Sequence, residues 1–165
     1  MRWNFIDEYE AWAMKLSYGM VLVFFLAVIG IALLKGIDVP TCITDFKPFE
    51  KGELIELGPK EYQLKLLARM WSFQPNEIVV PAGSKITIYT TSLDVQHGFE
   101  IEGKAVNLMT VPGAVNKAEL VFNRPGEYRF VCNEFCGLGH QAMFGVIRVL
   151  PEVEYERWKK EKGRR

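Results

Sequence analysis

The fold of this chain is decided by residues 128–149, which read Tyr128-Arg-Phe-Val-Cys-Asn-Glu-Phe-Cys-Gly-Leu-Gly-His-Gln-Ala-Met-Phe-Gly-Val-Ile-Arg-Val149. The two ends of this stretch are rich in apolar and β-branched residues, as short strands are. Between them, the twelve residues from Cys132 to Met143 contain two cysteines, one of the chain's two histidines and a methionine. Thiolate, imidazole and thioether groups together favour copper over zinc or magnesium, because soft sulfur ligands match soft copper ions. The stretch therefore predicts a strand–loop–strand unit whose loop binds a metal.

The rest of residues 61–150 shows the same pattern of short strands separated by turns. We predict six or seven strands, at Tyr62–Leu66, Glu77–Val80, Lys85–Thr90, Phe99–Glu102, Glu119–Phe122, Tyr128–Val131 and Val146–Val149. Turn residues recur between these strands, and no helical period is present. This pattern predicts a mainly β domain, an antiparallel sandwich or barrel. His97 follows the third strand through a bend and is expected at the same end of the sandwich as the metal-binding loop.

The amino-terminal part predicts a single membrane span. Residues 16–34 contain no charge, and as a helix they would be about 28 Å long, close to the thickness of a bilayer's hydrocarbon core. A cleaved signal peptide would have a shorter apolar run and a basic start, and a buried core helix is rarely apolar on all faces. Residues 1–15 predict an amphipathic lead-in to this span, and residues 36–60 a linker. Residues 151–165 predict a charged tail that contains a short, solvated helix.

Charge balance narrows the possible partners. The chain has 20 basic and 20 acidic residues, so nucleic-acid binding has no electrostatic support. Residues 61–150 contain eight acids and eight bases. We therefore predict weak electrostatic steering of any partner and docking through an apolar surface.

The number of thiols decides between kinds of metal site. Cys132 and Cys136 could form a disulfide, or a zinc site together with both histidines. Structural zinc ligands usually come as two tight pairs, however, and Met143 would have no role there. A mononuclear blue-copper site needs only one cysteine. Two thiolates that bridge can hold two copper ions, each completed by one imidazole, with no position left open for substrate. Such a site predicts electron transfer and not catalysis.

These residues resemble subunit II of the haem–copper cytochrome c oxidases, whose CuA centre holds two copper ions. The family pattern, a distant histidine followed by C-x-[EQ]-x-C-x3-H-x2-M, is matched by His97, Cys132, Glu134, Cys136, His140 and Met143. The resemblance covers residues 60–150 and implies a cupredoxin-like Greek-key domain over residues 61–150. It implies that both cysteines bridge the coppers, that each histidine completes one copper, and that the methionine is a weak axial ligand. It also implies that the backbone carbonyl of Glu134 is the other weak ligand.

The same resemblance implies a function and a location. Such a subunit accepts electrons from cytochrome c and passes them to haem in subunit I, where oxygen is reduced to water and protons are translocated. The single span and the stretch from Phe73 to Asn76 are similar to the ba3, or B-type, oxidases. That similarity implies a single-pass protein of the plasma membrane, in contact with lipid, with its amino end in the cytoplasm and the copper domain outside.

Three further residues receive predicted roles. By the resemblance, Trp71 is the residue at which electrons from cytochrome c enter, with a purely structural aromatic as the alternative. The carboxylate of Glu134 would bind magnesium at the interface with subunit I, or would have no ligand. Cys42 is predicted to be a spare thiol.

Two other functions are compatible with copper binding. The first is a freestanding, membrane-tethered cupredoxin that carries electrons between partners, and the second is a copper-delivery protein. The second thiolate disfavours a simple mononuclear carrier. The lack of clustered, exchangeable Met and His ligands disfavours delivery.

Overall fold

The structure is a computed structural model that describes residues 7–35 and 47–162, and the backbone alone at residues 41–42. The chain divides into two units, Met1–Asp38 and Val39–Arg165. Helix α1 (Glu8–Lys35) forms the described part of the first unit. Among the described residues of the second unit are a short 3-10 helix (His140–Ala142), helix α2 (Glu152–Lys162) and eleven strands. The strands are β1 (Thr41–Cys42), β2 (Glu53–Gly58), β3 (Glu61–Arg69), β4 (Ser72–Gln74), β5 (Glu77–Pro81), β6 (Ser84–Ser92), β7 (His97–Ile101), β8 (Asn107–Thr110), β9 (Asn116–Phe122), β10 (Gly126–Val131) and β11 (Phe144–Leu150).

Helix α1 is capped at its amino end and apolar along most of its length. The N–H of Glu10 donates to Asp7 Oδ1 at 2.8 Å, and the Asp7 N–H donates back to the Glu10 carboxylate at 3.4 Å, which is a capping box. The helix has 28 residues, and the most apolar window within it has a mean hydropathy of 2.5. By length and composition it can cross a membrane, and it includes the predicted span at residues 16–34. Residues 1–6 of the predicted lead-in lie outside the described residues.

The strands of the second unit form two sheets. The first has the order β1-β9-β6-β3-β2, with β4 paired to β3, and the second has the order β5-β11-β10-β7-β8. Each of the seven predicted runs overlaps a strand, so the mainly β fold class is confirmed. The strands that we did not predict are β1, β2, β4 and β8. Three of these four have two to four residues, too few for an alternating pattern to be recognised.

The prediction of an antiparallel sandwich or barrel is wrong for two strand pairs. Strand β3 runs parallel to β6, and β5 runs parallel to β11. Between β3 and β6 the chain crosses to the second sheet through β5, so it returns in the direction in which it left. Alternation along a strand shows which face is buried, but it does not identify the neighbouring strand.

The core between the sheets is centred on three aromatic rings. Phe73, Phe99 and Phe130 are buried, and their ring centroids lie 5.4–5.9 Å apart in edge-to-face or tilted arrangements. Phe99 follows the candidate ligand His97 by two residues, and Phe130 precedes the candidate ligand Cys132 by two residues. The core therefore anchors the strand ends that carry the metal-binding side chains.

The predicted linker at residues 36–60 is wrong in its second half. Residues 53–58 form β2, which pairs antiparallel with β3 and contains a bulge between Glu56 and Gly58. We expected no strand here because β2 is an edge strand of half-exposed residues and has no clear alternation. Residues 36–40 and 43–46 of the linker lie outside the described residues, as does the side chain of Cys42.

The carboxyl-terminal tail forms the predicted helix, but it is not simply solvated. Helix α2 has Glu152 and Glu154 in its first turn and three lysines in its last, which complements the helix dipole. Tyr155 on this helix is buried, and its hydroxyl lies 3.2 Å from the hydroxyl of Tyr62 on β3. Exposed ion pairs join Lys159 to Glu56 and Lys60 to Glu152. The helix is therefore packed on the sandwich through its tyrosine.

We expect the Tyr62–Tyr155 contact to make the protein sensitive to alkali. Burial of Tyr62, together with the hydrogen bond to Tyr155, raises the pKa of Tyr62 above its ordinary value. This contribution to stability is therefore complete below about pH 10 and is lost as the pH rises through the higher pKa of the folded state. Between pH 9 and 12, roughly, the unfolding midpoint of the native chain should fall more steeply than that of Tyr62→Phe.

Tyr9→Phe is the matched control for that experiment, because Tyr9 is 85% exposed. This control should keep the alkaline slope of the native chain. Equal slopes for Tyr62→Phe and the native chain would contradict the prediction.

Candidate metal centre

The fold brings the six predicted copper ligands together at one end of the sandwich. His97 is the first residue of β7, and Cys132 directly follows β10. The loop from Cys132 to Met143 supplies the other ligands before β11 begins. The backbone N–H of Cys132 donates to the carbonyl of Met143 at 3.0 Å, so the two ends of the loop are tied together.

The candidate donor atoms lie at distances that suit shared metal ions. The sulfurs of Cys132 and Cys136 are 3.6 Å apart. Cys132 Sγ lies 3.9 Å from His97 Nδ1, and Cys136 Sγ lies 3.6 Å from His140 Nδ1. Two donors on one ion of the size of zinc or copper are at most about 4.4 Å apart. Each cysteine therefore has its own imidazole partner within that limit.

The two weak ligands predicted for the site also lie beside the thiols. Cys132 Sγ is 3.2 Å from the carbonyl oxygen of Glu134, and Cys136 Sγ is 3.9 Å from Met143 Sδ. The donor set thus consists of two thiols, two imidazoles, a thioether and a carbonyl. This composition fits copper, because the sulfur ligands are soft and imidazole suits both of its oxidation states.

The two cysteines are free thiols in a dry environment. Their separation excludes a disulfide, whose sulfurs are about 2.05 Å apart. Both are buried, as are His97 and Met143. Burial, reinforced by the hydrogen bond to Cys132, raises the pKa of the Cys136 thiol to about 12. A metal must therefore displace the thiol protons when it binds at neutral pH.

The 3-10 helix orients the last two ligands. The N–H of His140 donates to the carbonyl of Gly137, and the N–H of Met143 donates to the carbonyl of His140, both at 3.1 Å. Residues three apart in a 3-10 turn lie on the same side. His140 and Met143 therefore both face Cys136.

Asp94 holds His97 from the side opposite the thiols. The Nε2 atom of His97 lies 2.9 Å from Asp94 Oδ1, while its Nδ1 faces Cys132. The Asp94 carboxylate also accepts the backbone N–H of Met70 at 2.7 Å and that of Val95 at 2.7 Å. Burial alone would raise the pKa of the Asp94 carboxyl, but the hydrogen bonds from Met70, His97 and Val95 outweigh it, and the pKa lies below its usual value. An ionised Asp94 fixes the ring orientation of His97.

Sequence reasoning did not single out Asp94. The only available signal was its position three residues before His97 in a Ser-Leu-Asp turn, where Ser92 accepts the N–H of Asp94. Asp residues are common in such turns without any functional role. The contact with Met70, which lies 24 residues away along the chain, could not be read from the sequence.

Trp71 lies directly against the metal-binding loop. Its Nε1 donates to the backbone carbonyl of Cys136 at 3.0 Å. A Cβ atom at Gly139 would lie 2.5 Å from Trp71 Cδ2, so only glycine permits this close contact. The indole is 42% exposed. Trp71 therefore connects the surface to the backbone of a candidate ligand.

Several exposed apolar residues belong to the loops and strand ends that carry the buried site. These residues, which we call the loop-end surface, are Met70, Trp71, Leu93, Val95, Phe135 and Leu138. Two of them, Phe135 and Leu138, are more than three-quarters exposed and belong to the metal-binding loop itself. Grouped exposed apolar side chains of this kind mark interaction sites. The side chain of Glu134 is exposed at the same end.

Comparison with known proteins agrees with this description. Residues 59–150 match the family model of the cytochrome c oxidase subunit II periplasmic domain. Two Thermus thermophilus proteins named cytochrome c oxidase subunit 2 are each 48% identical to this chain over 96 residues, or 58% of its length. The matched part makes up 71% of one of these relatives and 57% of the other.

Solved structures extend the likeness to most of the chain. A chain from a haem–copper terminal oxidase dimer, determined by cryo-EM, is 44% identical with a TM-score of 0.79, and the match covers 87% of this chain and all of that one. The periplasmic domain of cytochrome oxidase subunit II from Bradyrhizobium japonicum is 25% identical with a TM-score of 0.54. That match covers 60% of this chain and 91% of the other. The chain belongs to the cytochrome c oxidase subunit II family.

Proposed function

We propose that this chain is the electron-accepting subunit of a haem–copper terminal oxidase, which is an oxidoreductase complex. It would take single electrons from cytochrome c and pass them to haem in subunit I, for the reduction of oxygen to water coupled to proton translocation. The observation that carries the proposal is the pair of buried thiols 3.6 Å apart, each with its own imidazole partner. Family membership supports the partner subunits and the presence of copper.

Two copper ions would be held by bridging Cys132 and Cys136. His97 and His140 would each complete one copper, with Met143 and the Glu134 carbonyl as weak ligands. The coppers supply reversible one-electron chemistry. The residues themselves exclude water, because His97, both thiols and Met143 are buried. They also supply a nearly complete ligand set, which leaves no room for substrate at the metal.

Trp71 would be the residue at which electrons enter. It is the exposed aromatic whose indole N–H donates to the carbonyl of Cys136, so it offers a short path from the loop-end surface to a bridging ligand. The exposed Glu134 carboxylate is available to a magnesium ion at the interface with subunit I, and this role stays a prediction.

We further propose that the amino end lies in the cytoplasm and the copper domain outside the plasma membrane. The support is the description of the matched family domain as periplasmic, together with a helix before it that can span the bilayer. Protease added to right-side-out vesicles should degrade residues 47–162, and protection of this domain would contradict the topology.

The test of the copper proposal uses the purified full chain in detergent. After Cu(I) and Cu(II) are added in equal amounts, one unpaired electron shared by two equivalent copper nuclei should give a seven-line hyperfine pattern in electron paramagnetic resonance. A four-line pattern from a single copper would overturn the proposal. Co-purification with a haem-bearing, multi-span subunit separates the oxidase function from that of a freestanding carrier.

Docking of cytochrome c should depend on the loop-end surface. We expect Phe135→Ser combined with Leu138→Ser to lower the donor's second-order rate about tenfold, because buried apolar anchors dominate such interfaces. The rate should change little with added salt, since the domain has balanced charge. Stopped-flow mixing with reduced cytochrome c measures both effects.

Leu57→Ser is the matched control for the docking experiment. Leu57 is 61% exposed, but it lies on β2 beside the start of β3, whereas Trp71 lies just beyond the end of β3. This variant should keep the native rate. A native rate in the Phe135 and Leu138 variant, or a steep fall with salt, would contradict apolar docking.

A further inference from the structure

The start of the metal-binding loop continues along β7 without ladder hydrogen bonds. Strand β10 pairs with β7 at two positions, Phe130 with Ile101 and Val131 with Glu100, and the ladder ends there. If the same register is extended, Asn133 lies opposite Gly98 and Glu134 lies opposite His97. A contact other than the backbone ladder must therefore hold this segment beside the strand that carries His97.

The side chain of Asn133 supplies that contact. Its Nδ2 donates to Glu100 Oε2 at 3.0 Å and to Asn107 Oδ1 at 3.1 Å. Glu100 on β7 and Asn107 on β8 face each other in the ladder between these strands. One amide group thus joins the metal-binding loop to both strands of the β7–β8 hairpin.

Gly98 makes room for this arrangement. A Cβ atom at position 98 would lie 1.9 Å from Asn133 Oδ1 and 2.9 Å from the backbone nitrogen of Glu134. Neither distance is possible for a real side chain, so any other residue would push the loop away from β7. Because Gly98 follows His97 directly, the close approach occurs next to the candidate ligand.

We propose that Asn133 is a positioning residue for the metal centre, which holds Cys132 and the Glu134 carbonyl at their places beside His97. The inference rests on the proposed copper function. Asn133 follows Cys132 and precedes Glu134, so a shift of its backbone moves both of these donors relative to His97. Its side chain is exposed and takes no part in the core, and its loss should leave the sandwich intact.

The test is the variant Asn133→Asp in the full chain. A carboxylate of the same shape cannot donate to Glu100 Oε2 or Asn107 Oδ1, and it repels the Glu100 carboxylate. We expect copper binding to weaken about 10–100-fold, the usual range for losing a group that orients a ligand. Competition with a chelator of known affinity measures this change. The hyperfine pattern should also lose the equivalence of the two coppers, while the unfolding midpoint of the metal-free protein should not change.

Two further variants distinguish positioning from a general loss of structure. Glu100→Gln alone keeps an acceptor for Asn133 and should bind copper as the native chain does. In the double variant Asn133→Asp with Glu100→Gln, the amide introduced at position 100 can donate to the carboxylate introduced at position 133, so the donor and acceptor are exchanged. Rotation of the Asn107 amide lets its N–H donate to the same carboxylate. The double variant should regain the affinity and the spectrum. Failure of this rescue would overturn the positioning role.

The outcome also separates this inference from the proposed function. If the native chain gives no two-copper spectrum, the proposed function fails. If the native chain gives that spectrum and Asn133→Asp gives the same spectrum and affinity, the positioning role alone is overturned.

Discussion

Replacing Cys136 by Ser is expected to remove one of the two coppers and to change the seven-line hyperfine pattern to a four-line one. A serine hydroxyl does not ionise near neutral pH and is too hard a ligand to bridge copper ions. His97, Cys132 and the other donors can still bind one copper. Bound copper per chain should therefore fall from about two ions to about one, the single ion of a mononuclear blue-copper site. Electron paramagnetic resonance and metal analysis of the purified chain measure both changes.

Cys42→Ser is the matched control for the loss of a thiol. Cys42 is predicted to lie outside the donor set, so this variant should keep both coppers and the native spectrum. A seven-line pattern that survives in Cys136→Ser would show that Cys136 is not a ligand.

The second large effect concerns the aromatic core. We expect Phe99→Ala to lower the free energy of unfolding by about 3–5 kcal/mol, the range for removing a buried aromatic ring. Phe99 is fully buried, and its ring contacts those of Phe73 and Phe130. Small domains have only about 5–15 kcal/mol of stability in all, so much of the copper domain's stability would be lost. Chemical denaturation followed by tryptophan fluorescence measures the change.

Phe135→Ala is the control for this experiment. Phe135 is 78% exposed on the metal-binding loop, and its removal should change the free energy of unfolding by less than about 0.5 kcal/mol. If both variants unfolded at the same denaturant concentration, Phe99 would not have the stabilising role that its burial indicates.

Phe99→Ala should also affect the metal centre indirectly. Phe99 lies two residues after His97, and Phe130 lies two residues before Cys132. The contact between these rings therefore fixes the spacing of β7, which begins with His97, and β10, which directly precedes Cys132. The two buried rings therefore help to position donors that come from distant parts of the chain.

Much of the fold could be predicted from local patterns. The uncharged run at residues 16–34 was sufficient to predict helix α1. A helix that can span a membrane is recognised from its own length and composition and not from contacts with the rest of the chain. Strands such as β6 and β10 alternate well enough to be located. We did not predict edge strand β2, and we predicted antiparallel pairing where two strand pairs are parallel. Alternation along the chain indicates neither feature. The burial of Tyr155 was missed because its partner, Tyr62, lies 93 residues away.

By itself, the sequence determined the chemical nature of the site. Five of the six predicted ligands, all except His97, lie within the twelve residues from Cys132 to Met143. Their types and spacing indicated soft-metal binding without any structure. Only the tertiary structure decided how this loop meets the rest of the chain. His97 lies 35 residues before Cys132, and Trp71 lies 65 residues before Cys136. Contacts over such distances depend on which strands pair and in which register, and a local pattern does not encode that choice.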